Sequence, residues 1–226
     1  MGETEARIAI VTETWLQDGA RLDDMKERLS LGEGLGMLTK NRDPLENGVA
    51  YGGVAVIWKE SLCAFKRVGL GGNESKHEVL ACAGSIRGHS RKLVVLACYV
   101  PPNCGKAKAE STLEFIMESV ALLKRKFKDP YLVVAGDFNQ WKIGQALEDY
   151  VDISEVEVGH TRKDKKIDRI FVNVSRKIKE SGTLAPLETE DDMAKKSDHR
   201  VAYCSMELPR KESFTWTTYN LSLIHI

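Results

Sequence analysis

The sequence contains no long uninterrupted apolar segment and no basic-then-apolar leader at Met1. A transmembrane helix needs about 20 apolar residues in a row, and a secretory signal needs an apolar stretch after a basic start. We therefore expect no membrane partner and an intracellular location, in the nucleus or the cytoplasm. Cysteine is scarce as well, with five residues in the chain. Their number is odd and they form no C-x-x-C pair. This excludes a disulfide framework and favours reduced thiols in the core.

An excess of charge of one sign is also absent, since 33 Lys and Arg residues balance 33 Asp and Glu residues. A protein that coats polyanions over its whole surface is strongly basic, so this class is excluded, whereas a single basic face is still allowed. The glycine-rich pieces GEGLG and GLGGN lack the spacing and the strand-to-helix setting of a phosphate-binding fingerprint. Any nucleic-acid contact must therefore come from local basic clusters.

What the sequence does contain is a series of apolar runs of strand length. With 226 residues, 42% hydrophobic and 29% charged, the chain suits one soluble α/β domain. The runs are rich in Val, Ile, Tyr and Cys and are bordered by Gly or Pro, which predicts strands rather than helices. The seven predicted strands are 6–15, 52–59, 77–86, 92–100, 131–138, 166–174 and 199–208.

Residues 107–127 have the helical period instead, with Leu113, Ile116 and Val120 on one face. Acidic residues early and basic residues late in this segment match the helix dipole, and Asp129-Pro130 predicts its end. Shorter helices are predicted at 21–29 and 143–150. Because little helix is predicted between 52 and 100, the pattern favours two packed sheets flanked by a few helices over a regular Rossmann order.

Polar side chains stand at the ends of five predicted strands, where sheet proteins gather their ligands. Taken singly, a strand-end Glu is more often a solvated end, and Gly-Asp-x-Asn is more often a turn held by Asx hydrogen bonds. Together, carboxylates beside an imidazole are costly unless a metal ion or an acid/base task offsets the repulsion. The residues are Glu13, Tyr99, Asp137 with Asn139, Asp168, and Ser197-Asp198-His199.

These residue types suit the hydrolysis of a phosphodiester. Glu13 offers a hard oxygen ligand to Mg²⁺, which takes few protein ligands together with phosphate oxygens. Asp137 is suited to deprotonate the attacking water, with Asn139 hydrogen-bonding beside it. An imidazole at His199, oriented by Asp168, or the phenol of the strand-end tyrosine could meet the non-bridging oxygens.

Five motifs in this order resemble the endonuclease/exonuclease/phosphatase superfamily, which includes apurinic-site endonucleases, deoxyribonuclease I and inositol polyphosphate phosphatases. The motifs are TETW, YVPPN, GDFN, HTRKDKKIDRIFV and SDHR, and they extend from Glu13 to His199. The resemblance implies an α/β fold, a four-layer sandwich of two mixed β-sheets back to back with helices outside.

The resemblance also implies a role for each matching residue. Glu13 and Asp198 are expected to bind the metal ion, Mg²⁺ or alternatively Mn²⁺. The catalytic residues are expected to be Asp137, Asn139, His199, Asp168 and Tyr99. The substrate-binding residues are expected to be Thr161, Asn103, Arg162 and Ser197.

Within the superfamily, the pieces TETWL, GGVAVIWK, LACYVPPN and FTWTTYN are most similar to the endonuclease domain of non-LTR retrotransposons, where such a tail leads towards a reverse transcriptase. The expected activity is Mg²⁺-dependent nicking of DNA. The basic segments 124–128, 162–166 and 176–179 are candidate phosphate contacts. Two alternatives stay open: a phosphatase for inositol or other small phosphate esters, and an inactive fragment that only binds nucleic acid.

The resemblance also predicts the extent of the domain. The family opens with a strand that ends in an Asn some tens of residues before the Glu, and this strand is expected to be missing here. We expect the domain to occupy 1–209 and a linker or tail to occupy 210–226. The apolar end, 221–226, resembles a translated sequencing adapter and is expected to lie outside the fold.

Overall fold

The computed structural model describes residues 7–14, 33–41, 52–185, 198–208 and 218–225. Two α-helices occur there, α1 (Lys106–Lys126) and α2 (Gly144–Val151), with 3-10 turns at Glu74–Lys76 and Ser175–Lys177. The strands are β1 (Ile8–Thr12), β2 (Leu35–Lys40), β3 (Val54–Lys59), β4 (Phe65–Arg67), β5 (Glu78–Ser85), β6 (Lys92–Tyr99), β7 (Tyr131–Asp137), β8 (Ser154–Glu155), β9 (Asp168–Val172), β10 (Ile178–Leu184), β11 (Val201–Glu207) and β12 (Thr218–His225).

The strands form two six-stranded sheets. The first sheet has the order β10-β11-β12-β1-β3-β2, and the second has the order β4-β5-β6-β7-β9-β8. Both sheets are mixed, because β1 pairs with β12 in parallel and β6 pairs with β7 in parallel, while the other pairs are antiparallel. The predicted α/β class with two mixed sheets and few helices is confirmed.

The core lies mainly between the two sheets. Because successive side chains of a strand point to opposite faces, Leu93, Val95 and Ala97 of β6 fill the inter-sheet core. Their neighbours Val94 and Leu96 face outwards into a second core under the helices. Both described helices pack on the outer face of the second sheet, and the predicted helix 21–29 lies outside the described residues.

The cysteines follow the expectation of unpaired thiols. All five are free; Cys104 is partly exposed and the other four are buried. Burial raises the pKa of Cys63 and of Cys204 to about 12, because a thiolate is poorly solvated in the core. These buried thiols are therefore protonated and unreactive.

Helix α1 agrees with the predicted range 107–127 to within a residue. Its last turn holds Lys124, Arg125 and Lys126, as the dipole argument predicted. Its first turn contradicts that argument, because the helix begins at Lys106 and contains no acidic residue there. The helix is stabilised by its buried face instead, which includes Phe115 and other side chains packed on the second sheet.

The structure contains five strands that the apolar pattern did not predict: β2, β4, β8, β10 and β12. Strands β4 and β8 are too short to give a pattern, and β10 has the polar sequence IKESGTL. Residues 221–225 of the segment expected to lie outside the fold belong to β12, between β1 and β11. A position between two strands satisfies the backbone groups on both sides, which favours its ordering. The division into a domain at 1–209 and a tail stays a prediction.

None of the helices in the described part of the chain has the length and apolar character needed to cross a bilayer.

Candidate active site

Four polar residues occupy neighbouring positions across four strands of the second sheet. Glu78 of β5 pairs with Tyr99 of β6, Tyr99 pairs with Asp137 of β7, and Asp137 pairs with Asp168 of β9. All four are buried. Their side chains share the face that fills the inter-sheet core, because alternate residues of the same strands belong to that core. The register of the sheet therefore builds one polar row at one end of the core.

The first sheet adds residues from two strand ends to this row. Glu13 follows β1, and its Oε1 accepts a hydrogen bond from the hydroxyl of Tyr99. His199 precedes β11, and its Nδ1 lies 2.9 Å from Oδ2 of Asp168. Since an ionised carboxylate only accepts hydrogen bonds, Nδ1 carries the proton and donates it. The polar strand ends of the two sheets thus meet in one site.

Asp137, Asp168 and His199 form a group that could hold a divalent cation. All three are buried, and their ligand atoms lie within 4.8 Å of one another. Oδ1 of Asp168 is buried and makes no hydrogen bond within the described part of the chain. An unpartnered buried carboxylate oxygen is costly, and a cation would satisfy it. Two carboxylates suit Mg²⁺, and the imidazole makes the set suitable for Mn²⁺ as well.

This group does not include the two predicted metal ligands, whose metal roles stay predictions. Asp198 is exposed, and Oδ2 accepts hydrogen bonds from Nε and Nη2 of Arg162 at 2.7 and 2.6 Å. Partial burial raises the pKa of Asp198, but the hydrogen bonds and charge of Arg162 outweigh it and leave the pKa below its ordinary value. Nε2 of His199 lies 3.8 Å from Asp198 Oδ1. Arg162 is therefore engaged with a carboxylate, and its contact with substrate stays a prediction.

The phenol of Tyr99 is a permanent proton donor in this site. Burial, the hydrogen bond to Glu13, and the negative charges of Glu13, Asp137 and Glu78 all raise the pKa of Tyr99 far above its ordinary value of 10. The hydroxyl therefore stays protonated at any physiological pH. A protonated phenol is suited to stabilise negative charge by donating a hydrogen bond, and the catalytic role of Tyr99 stays a prediction.

The motif GDFN has a structural reason at three of its positions. Gly136 is required because a Cβ there would lie 1.7 Å from the carbonyl oxygen of Cys98 on the neighbouring strand. Oδ1 of Asp137 accepts the backbone N–H of Asn139 at 2.8 Å, which is the Asx turn considered from the sequence. Nδ2 of Asn139 donates to the carbonyl of Val100 at 3.0 Å. The Asx turn is thus part of the site, because its hydrogen bond fixes the orientation of the Asp137 carboxylate.

Two of the site residues have a left-handed backbone. Glu13 has φ 52° and Asn139 has φ 49°. Asn tolerates this region comparatively well, whereas Glu does so at a cost of about 1–2 kcal/mol. Strain of this kind concentrates at functional sites. The observation sets Glu13 apart from an ordinary solvated strand end.

Glu78 was not identified from the sequence. Its Oε2 accepts the backbone N–H of Gly53 at 2.6 Å, and a Cβ at Gly52 would lie 2.2 Å from the same oxygen. The carbonyl of Gly53 in turn faces the N–H of Thr14 at 3.5 Å, next to Glu13. Glu78 thereby holds the loop before β3 against the end of β1. The available indication was a Glu inside the apolar run HEVLACAGSI, at a position that faces the core.

The predicted substrate-binding residues occupy different environments. Thr161 is fully buried, and its hydroxyl accepts the N–H groups of Ile167 and Asp168 at 3.2 and 3.0 Å, so it supports Asp168. Asn103 is exposed on the loop after β6. Ser197 lies outside the described residues. Contacts of these residues with a substrate stay predictions.

Basic side chains in two of the segments predicted to contact phosphate are already paired. Nζ of Lys166 lies 3.0 Å from Glu155 and 3.1 Å from Glu157. Nζ of Lys124 donates to the carbonyl of Val151 at 2.6 Å. The basic segments predicted to contact phosphate are therefore less free than the sequence alone indicates.

Known structures share this fold. The catalytic domain of human nocturnin with bound sulfate has 14% identity and a TM-score of 0.56, covering 85% of this chain and 77% of that chain. D. rerio TDP2 complexed with a single-strand DNA product has 12% identity and a TM-score of 0.57, covering 88% and 84%. A mannosyl-6-phosphatase of Bacteroides thetaiotaomicron has 15% identity and a TM-score of 0.56, covering 86% and 82%.

At these identities the likeness shows the fold alone, and none of the curated proteins matches the sequence. The model of the Endonuclease/Exonuclease/phosphatase family, by contrast, matches residues 6–199, which is most of the chain and includes the polar row and His199. This protein therefore belongs to the endonuclease/exonuclease/phosphatase family, whose members hydrolyse phosphoesters.

Proposed function

We propose that this protein is a Mg²⁺-dependent phosphodiesterase that nicks DNA, as the endonuclease part of a retrotransposon polyprotein. The observation that carries the proposal is the buried group of Asp137, Asp168 and His199, with ligand atoms within 4.8 Å of one another. Burying two carboxylates and an imidazole together is costly unless they perform chemistry or bind a cation. The motif resemblance to retrotransposon endonucleases supports the choice of DNA.

In this proposal Asp137 deprotonates the attacking water. The N–H of Asn139 fixes one carboxylate oxygen at 2.8 Å, so the carboxylate keeps one orientation towards the substrate. His199, held at Nδ1 by Asp168, presents Nε2 towards the phosphate. Mg²⁺ with Glu13 among its ligands would neutralise the charge that develops on the phosphate oxygens, which leaves Asp137 to act as the base. Loss of the general base typically costs about 10²- to 10⁴-fold in rate.

Incubation with supercoiled plasmid and Mg²⁺ tests the proposal. We expect the unmodified protein to convert plasmid to the nicked form, and we expect chelator or Asp137→Ala to abolish the conversion. Thermal unfolding of the variant checks that it is folded. Nicking that survives both treatments, or no nicking by a folded protein, would overturn the proposal. Salt-dependent DNA binding without nicking would identify a nucleic-acid-binding fragment instead.

A second candidate function is the hydrolysis of a small phosphate monoester, and the pairing of the basic residues favours it. Arg162 is engaged by Asp198, and Lys166 is engaged by Glu155 and Glu157. A duplex needs several free cations along its backbone, whereas a small ester needs only the site itself. Comparing p-nitrophenyl phosphate with bis(p-nitrophenyl) phosphate separates the two. Preference for the monoester, without plasmid nicking, would establish the second function.

A further inference from the structure

The loop after β6 is fastened to the loop after β7 by three side chains in succession. The loop after β6 is called the first loop here, and the loop after β7 is called the second loop. Each of the three side chains belongs to the second loop and donates a hydrogen bond to a different backbone carbonyl of the first loop. The bonds run from Asn139 Nδ2 to Val100 at 3.0 Å, from Gln140 Nε2 to Pro102 at 2.6 Å, and from Trp141 Nε1 to Pro101 at 3.3 Å. Three consecutive residues directly after Asp137 and Phe138 thus bind three consecutive carbonyls directly after Tyr99.

The composition of the first loop explains why it needs these donors. Pro101 and Pro102 have no backbone N–H, so β6 cannot extend its ladder with β7 beyond Val100. The N–H of Val100 still donates to the carbonyl of Asp137 at 2.9 Å, and the backbone pairing ends there. Beyond that point the carbonyls of the first loop accept hydrogen bonds from side chains of the second loop in place of a backbone ladder. Each such bond adds a modest net stabilisation, so the three together can restrict the loop.

The first loop connects two parts of the site. It begins after Tyr99, whose hydroxyl contacts Glu13, and it carries the exposed Asn103 before α1 begins at Lys106. Gln140 and Trp141 follow Asp137 in the chain, and through these bonds they touch the carbonyls of Pro102 and Pro101. These two carbonyls directly precede Asn103.

We propose that Gln140 and Trp141 are positioning residues that clamp the loop at 100–105, so that its exposed part forms a fixed wall of the substrate cleft beside Asp137. The catalytic consequence rests on the proposed phosphodiesterase function, whereas the clamp itself does not. Releasing the loop weakens substrate binding in the ground state and the transition state alike. KM should therefore rise while kcat changes little.

The loop contains its own reporter, Cys104. It is the one cysteine of the chain that is not buried, and its side chain packs partly against the core under α1. The other four cysteines are buried, so labelling of the native protein with a thiol reagent follows Cys104. The labelling rate reports how accessible this partly exposed thiol is, which should increase when the loop is released, and it does not depend on activity.

The experiment uses the full chain with Gln140→Ala, Trp141→Phe and the double variant. Phe keeps an aromatic side chain at the position where Trp141 packs against the core, lacks the N–H donor, and is smaller than the indole. Gln145→Ala is the matched control, because it removes an exposed amide that bonds Asp149 at 2.8 Å on α2, away from the loop. Thermal unfolding of each variant verifies that the labelling occurs in the folded protein.

We expect Cys104 labelling to accelerate about five- to tenfold in the double variant, as the loss of about 1 kcal/mol or more implies. KM for bis(p-nitrophenyl) phosphate or plasmid should rise by a similar factor, with kcat within about twofold of the unmodified protein. Unchanged labelling in the double variant, or the same acceleration in Gln145→Ala, overturns the clamp. Faster labelling with an unchanged KM overturns the positioning role. A folded but inactive unmodified protein overturns the proposed function, and labelling still decides the clamp.

Discussion

The hydroxyl of Tyr99 in the second sheet donates its only proton to the carboxylate of Glu13 in the first sheet. This hydrogen bond and the one between His199 and Asp168 both join the two sheets at the site. The same proton cannot serve a phosphate oxygen at the same time, so catalysis by Tyr99 requires Glu13 to release it. Engagement of Glu13 by a metal ion would have this effect.

We predict that Tyr99→Phe lowers kcat about 10²-fold, the usual result of removing one donor to a developing oxyanion. Tyr203→Phe is the matched control, because that hydroxyl also bonds a glutamate, Glu180, at 2.9 Å, but on the exposed surface. Steady-state kinetics with bis(p-nitrophenyl) phosphate measures both. Equal rates for the two variants would remove Tyr99 from the mechanism.

We predict that Gly136→Ala destabilises the fold by about 3 kcal/mol or more, because the new methyl group would overlap the carbonyl of Cys98 and separate β6 from β7. Gly69→Ala is the control, since nothing lies within 4 Å of a Cβ at that position. Urea unfolding gives the free energy of unfolding of each variant. A loss at Gly136 no greater than at Gly69 would contradict the close approach of the two strands.

We predict that Glu13→Gly is more stable than Glu13→Ala by about 1 kcal/mol, because glycine adopts φ 52° without the cost that alanine shares with glutamate. Both variants should lose activity. Chemical denaturation of the pair measures the difference. If alanine proves the more stable, the left-handed backbone at the end of β1 is not present in solution.

We predict that Mg²⁺ or Mn²⁺ raises the Tm of the protein, because a cation that binds only the folded state stabilises it by mass action. The rise should vanish in Asp168→Asn, which removes the charge of the buried carboxylate whose Oδ1 has no partner in the described part of the chain. Calorimetric titration with each ion checks the binding directly. An undiminished rise in the variant would exclude Asp168 from the cation site.

We predict that His77 makes stability fall as the pH is lowered. Burial, and then the charges of Lys108 and Lys76, lower the pKa of His77 below its usual 6.5. His77 of the unfolded chain therefore binds a proton near pH 6.5, whereas His77 of the folded chain binds one only at a lower pH. The free energy of unfolding consequently decreases below pH 6.5. His77→Asn retains a donor to Thr112 Oγ1, which lies 3.1 Å from Nδ1. The Tm difference between pH 7.5 and pH 5.5 should be smaller in the variant, and an equal difference would assign the effect elsewhere.

Much of the second sheet could be predicted from sequence, because its strands are continuous apolar runs whose composition excludes most alternatives. The polar residues at their ends could be recognised individually, as Asp137 and Asp168 were. What the sequence could not provide is the register, since pairing depends on the neighbouring strands and not on the strand itself. Glu78 was missed for this reason, because only the pairing of β5 with β6 places it beside Tyr99.

The partners of charged side chains were equally hidden from sequence. Arg162 and Lys166 lie in one basic segment and suggested phosphate contacts. Arg162 is engaged by Asp198, which lies 36 residues further along the chain. Lys166 is engaged by Glu155 and Glu157, which precede it by about ten residues. Both engagements depend on how the chain folds between the partners, which the basic segment alone does not reveal.

Strands β1 and β11, whose ends present Glu13 and His199, do not pair with each other. The backbone of β12 lies between them, parallel to β1 and antiparallel to β11. Two inter-strand spacings, about 10 Å in all, therefore separate the two strands. The width of the cleft on this side is thus set by the thickness of one interposed strand. Any sequence at 218–225 that preserves both ladders will preserve that width.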